Sequence, residues 1–383
     1  RLARDRPLVV VLDDAQWAEP TLLALVEHLA RHTASVPMLL FCVGRPEFLE
    51  RQPGWGQALE RSTSLRLEPL DAAASDRLIA ELLGETKSVG VRDRIADSAG
   101  GNPLFVEQMI SMLIDEGLLV QEGGRWVAGG NLETIRVPPG IHALLAARLE
   151  RLDADARSVI GRAAVIGQIF YVGALEALVP PALVSRIPSL LRELVHKELV
   201  LPGQSDFVDE GAYEFRHLLI RDAAYESQSK ESRADLHARF ADWFEEKAGD
   251  RSAEYAEIVG WHLEQAHRYL SELGTLGEQR DELAQRAADQ LAAAGWTASA
   301  RGDVSAGVSL RSRALALMPT GAPHRPLVLA DLGEALLWRG HFEEANRALA
   351  EAIELAEQAG DERTRLRARL SQLRLRFQVD PAA

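Results

Sequence analysis

Leu8-Val9-Val10-Val11-Leu12 is a run of five apolar residues that passes straight into Asp13 and Asp14. No period-two alternation interrupts it, so it reads as a strand buried on both faces, the habit of parallel sheets in α/β proteins. Carboxylates at the carboxyl end of such a strand lie where open α/β sheets bind ligands. Two adjacent acids need a cation or polar partners there, and a magnesium-bound nucleotide is one well-known solution. The other reading is structural, with Asp14 capping a helix that begins near residues 19–21 and Asp13 in a turn.

The pattern that follows supports an α/β layer. Residues 20–32 form an amphipathic helix, and residues 36–43 a second buried strand that ends at Gly44-Arg45-Pro46-Glu47. Residues 64–67 give a short third strand. Strand, helix and strand, each with polar residues at its exit, is the layout of a parallel sheet. From 71 to 117 the pattern turns helical, broken at Ala99-Gly100-Gly101-Asn102-Pro103, where glycine ends one helix and Asn and Pro begin the next. A hairpin is expected over 120–127, and Pro138-Pro139-Gly140 marks a boundary. Beyond it, three or four short helices to about residue 197 precede two brief strands, 199–201 and 213–217, which together suggest a winged helix. From about residue 218 the chain is all helix, rich in Ala, Leu, Glu and Arg.

That helical tail repeats. Ala298-Ser299-Ala300-Arg301-Gly302-Asp303 aligns with Leu336-Leu337-Trp338-Arg339-Gly340-His341 at an offset of 38 residues (298 to 336), and each is followed by a similar helix, 306–317 and 344–355. This looks like a helix-turn-helix repeat of the tetratricopeptide kind, with a period a few residues above the usual ~34. Such arrays stack into concave surfaces that bind peptides or neighbouring domains.

Composition removes several classes. Across 383 residues, 43 basic side chains stand against 57 acidic ones for a net charge of −14, which disfavours a general nucleic-acid-binding surface. The single cysteine, Cys42, lies in an apolar run, so there is no disulfide framework, and a core thiol in a reducing cytoplasm is expected. No stretch approaches the ~20 apolar residues of a membrane span. The chain opens on Arg1 with its first strand almost at once, and a piece of a longer protein is expected.

Four segments in fixed order carry a resemblance. They are the strand ending in Asp13 and Asp14, the strand ending in Gly44-Arg45-Pro46-Glu47, the stretch from Ala99 to Met109, and that from Tyr213 to Ser227. Together they resemble the ATPase module of bacterial signal-transduction NTPases of the STAND class, found in large LuxR-type transcriptional regulators and multidomain nucleotide cyclases. The resemblance covers nearly the whole chain. It implies a multidomain fold: the C-terminal half of a P-loop NTPase core at 1–70, a helical lid at 71–137, a winged helix at 138–230 and a TPR-like α-solenoid at 231–383. It also implies ATP or ADP with Mg2+ as cofactors. Asp13 matches the Walker B acid that holds magnesium through water, and Asp14 the acid that orients or deprotonates the attacking water. Arg45 matches the residue that senses the γ-phosphate, a task suited to a planar guanidinium, with a surface arginine as the plain alternative. Pro103 matches a proline packed on adenine, and it also initiates a helix. His217 corresponds to the histidine that reaches the β-phosphate, or is a structural histidine under the wing.

One departure is decisive for what this chain does by itself. A working site needs the loop G-x-x-x-x-G-K-[ST], whose backbone N–H groups and lysine cradle the phosphates. The chain contains no such string, and the nearest, Gly84-Glu85-Thr86-Lys87-Ser88, lacks the glycine before lysine and follows the Walker B strand. ATP hydrolysis is therefore expected of the intact protein and not of these residues alone. The leading expectation is a nucleotide-operated switch controlling an output domain elsewhere, with the helical repeats binding a protein partner or that output domain. The alternative is a non-catalytic scaffold that binds a partner through the repeats. Direct DNA contact is not expected, because the recognition helix expected over 183–197 places Arg186, Arg192, His196 and Lys197 beside Glu193 without a dense basic cluster.

Overall fold

Strand β1 (Leu8–Leu12) pairs in parallel with β2 (Met38–Cys42), from Leu8 opposite Met38 to Leu12 opposite Cys42. Helix α1 (Pro20–His32) is the crossover between them, and α2 (Pro46–Arg51) follows β2. This computed structural model describes residues 6–32, 36–56, 59, 61–84, 89–122, 125–128, 140–208 and 210–379. The chain divides into two compact units, Arg1–Arg66 with Ala288–Ala383, and Leu67–Ala287. The small core behind the strand ends is Ala15, Leu23 and Phe48, with Ala18 and Trp55 packed against it.

Two expectations for this layer are corrected. The strands are not buried on both faces: Val9, Val11, Leu39 and Phe41 are more than half exposed, while the alternate positions are half-buried. Side chains of successive strand residues point to opposite faces, and among the described residues only one face of this pair is covered. The third strand at 64–67 does not form either. Leu65 and Leu67 are 80% and 91% exposed, and residues 61–71 form no strand.

The second unit begins with three helices, α3 (Ala72–Leu83), α4 (Val89–Ala99) and α5 (Pro103–Asp115). Asp71 caps α3 by accepting from Ala74 N at 2.7 Å. The apolar stripes meet around Ile79, Ile95, Phe105, Met109 and Leu113. The expected hairpin is present as β3 (Leu119–Glu122) against β4 (Arg125–Ala128). Pro138 and Pro139 of the expected boundary, and residues 85–88 of the nearest Gly-to-Ser string, lie outside the described residues.

Helices α6 (Ile141–Glu150) and α7 (Ala154–Ile166) lead to β5 (Ile169–Tyr171), α8 (Val172–Leu178), α9 (Pro181–Val184) and α10 (Ile187–His196). Strands β6 (Val200–Gly203) and β7 (Ala212–Phe215) form the expected ribbon, and β5 joins it to give the antiparallel order β5-β7-β6. The single helix expected over 183–197 is two helices, with Ser185 and Arg186 between them and Pro188, which has no N–H to donate, in the first turn of α10. Arg148 on α6 is 4% exposed and ties three elements together. It donates to Gln108 and Asp115 of α5 and, at 2.8 Å, to the carbonyl of Lys197 before β6. Helices α11 (Leu218–Glu226), α12 (Lys230–Ala248) and α13 (Ser252–Glu272) continue the unit.

The tail contains α14 (Glu278–Ala300), α15 (Val304–Leu317), α16 (Arg325–Trp338), α17 (Phe342–Ala359) and α18 (Glu362–Val379). Two hairpins in it are equivalent at the expected offset. Gly302 and Gly340 take φ of +90° and +76°, and the same bond closes each turn, Asp303 N to Ala298 O at 2.9 Å and His341 N to Leu336 O at 3.0 Å. That is a Schellman-type C-cap, which requires a left-handed residue. Within the hairpins, a Cβ on Gly295 would lie 3.2 Å from Gly307 O, and one on Gly333 3.3 Å from Ala345 O. Small residues at matched places let the helices of each pair approach. No described helix is long and apolar enough to cross a membrane.

Candidate functional site

The parallel pairing continues past the strand ends, since Val43 N donates to Leu12 O and Ala15 N to Val43 O, both at 2.8 Å. Residues 13–16 are thereby held beside residues 43–45. Asp14 adopts φ +52° and ψ +43°, a left-handed conformation that Asp tolerates better than most residues. Its N–H donates to Asp13 Oδ1 at 2.9 Å. Gln16 then bridges the two loops: its Nε2 donates 2.7 Å to Asp14 Oδ1, and its Oε1 accepts from Arg45 N at 3.1 Å.

Asp13 is exposed, Asp14 is half-buried, and the Arg45 side chain is exposed just before α2. Asp14 makes no side-chain cap bond, and α1 starts six positions later, at Pro20, so the capping alternative does not describe it. No cluster of three or more His, Cys, Asp or Glu that could hold a metal occurs among the described residues. A cation at Asp13 would thus have one or two protein ligands and fill its remaining positions with water or phosphate oxygens. Magnesium, which dehydrates reluctantly, fits that donor set. Nothing in the sequence singles out Gln16; its role depends on register bringing residue 45 beside it, which no local motif signals.

Pro103 and His217 belong to the second unit, where the fold brings them to one helix. Pro103 is exposed at the first position of α5, and Asn102 caps that helix by accepting from Phe105 N at 3.2 Å. Gly101 before it has φ +77°, and a Cβ there would lie 2.4 Å from Leu70 O, so conformation and space both demand glycine. One turn into α5, Glu107 Oε2 lies 3.7 Å from His217 Nε2. His217 stands at the N-terminus of α11, and its Nε2 is buried without a hydrogen-bond partner. Pro103 does start a helix, as its plainer reading requires, and His217 is a half-buried residue facing α5.

Sequence reading missed a second polar centre in this unit. His237 of α12 and His262 of α13 share an Nδ1···Nδ1 hydrogen bond of 2.8 Å, and they are 0% and 3% exposed. Tyr225 Oη of α11 lies 2.8 Å from His237 Nε2 and 2.9 Å from Tyr269 Oη. The Arg233 guanidinium sits 4.5 Å from the Tyr225 ring centroid. Burial, reinforced by Arg221, Arg268 and Arg233, pushes His237 down to about 3. Burial also holds His262 well below the ordinary histidine range, with His237 and Arg221 adding to it. Both rings are neutral at physiological pH. Nothing in the spacing of these residues announces the cluster, because three separate helices supply it.

No protein-family model matches the chain. An uncharacterized protein of Rhizobium meliloti (strain 1021) is 27% identical over 275 residues, covering 67% of this chain and 25% of that protein, so the chain spans about a quarter of its relative's length. Among solved structures, a Signal Transduction ATPase with Numerous Domains (STAND) protein with a tetratricopeptide repeat sensor, from Pyrococcus horikoshii, superposes with a TM-score of 0.42 at 12% identity. That superposition covers 97% of this chain and 53% of the other and is too loose to fix a fold.

Proposed function

We propose that this chain is part of an ATP-operated signalling switch of the STAND class. Asp13 holds Mg2+ through water, Asp14 orients or deprotonates the attacking water, and Arg45 senses the γ-phosphate. The observation that supports this most is the strand-end arrangement: two carboxylates and Arg45 at the carboxyl edge of a parallel pair, Gln16 joining the Asp14 carboxylate to the Arg45 N–H, with Asp14 in a left-handed conformation and its side chain making no helix-cap bond. Bound magnesium supplies charge neutralisation at the phosphate oxygens. Asp14 accepts a proton from water, and Gln16 holds its carboxylate in place. In this reading residues 1–70 belong to a P-loop NTPase core, 71–137 to a lid, 138–230 to a winged helix, and 231–383 to TPR-like repeats that engage a protein partner or the output domain. That output is a transcription regulator or nucleotide cyclase outside these residues, in the cytoplasm.

The alternative is a scaffold that binds a partner through the repeats without hydrolysing ATP. The full-length protein separates the two. Asp14→Asn keeps the shape of the side chain and loses its basicity, so ATP hydrolysis should fall by ~100-fold or more with Mg-ATP affinity nearly unchanged. Asp13→Asn should weaken the magnesium-dependent part of binding as well. Equal hydrolysis by the parent and Asp14→Asn removes the catalytic assignment and leaves the scaffold.

A further inference from the structure

Helix α18 packs on α16 and α17 through Thr364, Ala368, Ser371 and Leu375, all less than a tenth exposed. Its opposite side carries Leu366, Leu370, Leu373 and Phe377, which are 54%, 51%, 49% and 64% exposed. Their spacing of four, three and four residues is one stripe at 3.6 residues per turn. Single exposed leucines are ordinary, whereas a continuous stripe of four large apolar side chains marks a contact face. The neighbouring α16 shows what such composition is for. It packs against α15, α17 and α18, and Val328, Leu332 and Ala335 are each less than a tenth exposed. Helix α18 thus presents two packing faces, flanked by arginines, and one of them is uncovered among the described residues.

Charge narrows what covers it. Helix α18 carries Arg363, Arg365, Arg367, Arg369, Arg374 and Arg376. Four of them pair with acids of the helices already packed on α18 or of α18 itself: Arg365 with Glu357 of α17 and Glu362, Arg369 with Glu357, Arg367 with Asp331 and Glu334 of α16, and Arg374 with Glu334. A second α18 laid on the stripe would set arginine against arginine. The helix that covers the inner side, α17, has the opposite character. It buries Ala345, Ala348, Leu349, Ala352 and Ala356 as a small-residue spine and carries Glu343, Glu344, Glu351, Glu354 and Glu357. We infer that the Leu366–Leu370–Leu373–Phe377 stripe is the docking face for an acidic amphipathic helix of the α17 type, with Arg363 and Arg376, both exposed beside the stripe, meeting its acids. This goes beyond the nucleotide reading and stands without it.

The probe is a stapled, fluorescein-labelled peptide with the sequence of residues 342–359, titrated with the whole chain and followed by anisotropy. Binding in the micromolar range is expected, weakened at least tenfold by the paired changes Leu370→Glu and Leu373→Glu. Those positions lie outside the packed interface, so helicity and melting temperature should be unchanged, which separates lost docking from lost folding. Arg363→Glu with Arg376→Glu should weaken binding several-fold at low salt and less at high salt. Absence of binding at 1 mM, equal affinity of the leucine variant, or equal affinity for a peptide with its glutamates changed to lysine each overturns the inference. So does a wild-type dimer that Leu370→Glu abolishes, because the face then belongs to a second copy.

Discussion

The strand-end carboxylates and the histidine pair of the second unit both concentrate polar atoms, and their surroundings treat those atoms in opposite ways. His237 uses both ring nitrogens inside the protein, on Tyr225 and His262, with Tyr269 closing the chain of bonds. Among the described residues Asp13 and Asp14 engage one oxygen each, with Asp14 N and Gln16 Nε2, and Asp13 faces solvent. A saturated buried network holds helices together, since an unmade bond there costs the full desolvation of its group. A half-used carboxylate held in a strained backbone keeps oxygen atoms for something else. Polar density therefore does not distinguish the two places; how much of each group's bonding the protein itself takes up does.

The sharpest way to break that contrast is acid. His237 in the folded chain sits near 3, below the ordinary ~6.5 of the unfolded chain, so the unfolded state takes up its proton first as pH falls. Its stabilisation is complete above pH ~6.5 and is lost progressively as pH drops toward 3. By pH 4.5, two units below the unfolded value, His237 alone should remove on the order of 3 kcal/mol, and His262 acts in the same direction. Urea unfolding at pH 7.0, 5.5 and 4.5 measures the loss. Histidine Cε1–H resonances give a second reading: of the ten histidines, these two should not titrate down to pH 5. If they titrate near 6.5 in the folded protein, the network is open to water and resembles the strand ends after all.

Tyr225→Phe tests the same network from its other end. The change keeps the ring under Arg233 and deletes the hydroxyl shared by His237 and Tyr269. With His237 buried and one nitrogen left unpartnered, a loss of about 1–3 kcal/mol is expected in urea unfolding at pH 7. A neutral result would mean that the hydrogen bonds are incidental to packing.

The contrast also explains which features are legible in the sequence. Left-handed glycines at residues 302 and 340 and the Asn-Pro start of α5 follow local backbone rules, so the residues themselves carry the punctuation and the repeat. Adjacent aspartates after an apolar strand are legible for the same reason. The outward face of β1 is not, because what covers a strand depends on distant packing; Val9 and Val11 face outward although their composition matches that of Val10. Gln16 becomes visible only through the β1–β2 register. His237 and His262 lie 25 residues apart on two helices, and their pairing depends on how those helices meet.

The smallest expected effect is the most discriminating. Asp14 sits at φ +52°, where Asn is as well tolerated as Asp, and its acceptor oxygen toward Gln16 survives in the amide. Asp14→Asn should therefore leave urea stability within about 0.5 kcal/mol, as expected where no buried group is stranded. Asp14→Ala loses that acceptor and places an ordinary side chain in left-handed backbone, so about 1–2 kcal/mol should go. The ordering matters more than either figure. A carboxylate kept for chemistry can lose its charge without the fold responding, whereas one whose charge serves the fold cannot. If Asp14→Asn destabilised the chain as much as Tyr225→Phe, the Asp14–Gln16–Arg45 bridge would be a structural clasp, and the strand ends would lose their standing as the candidate site.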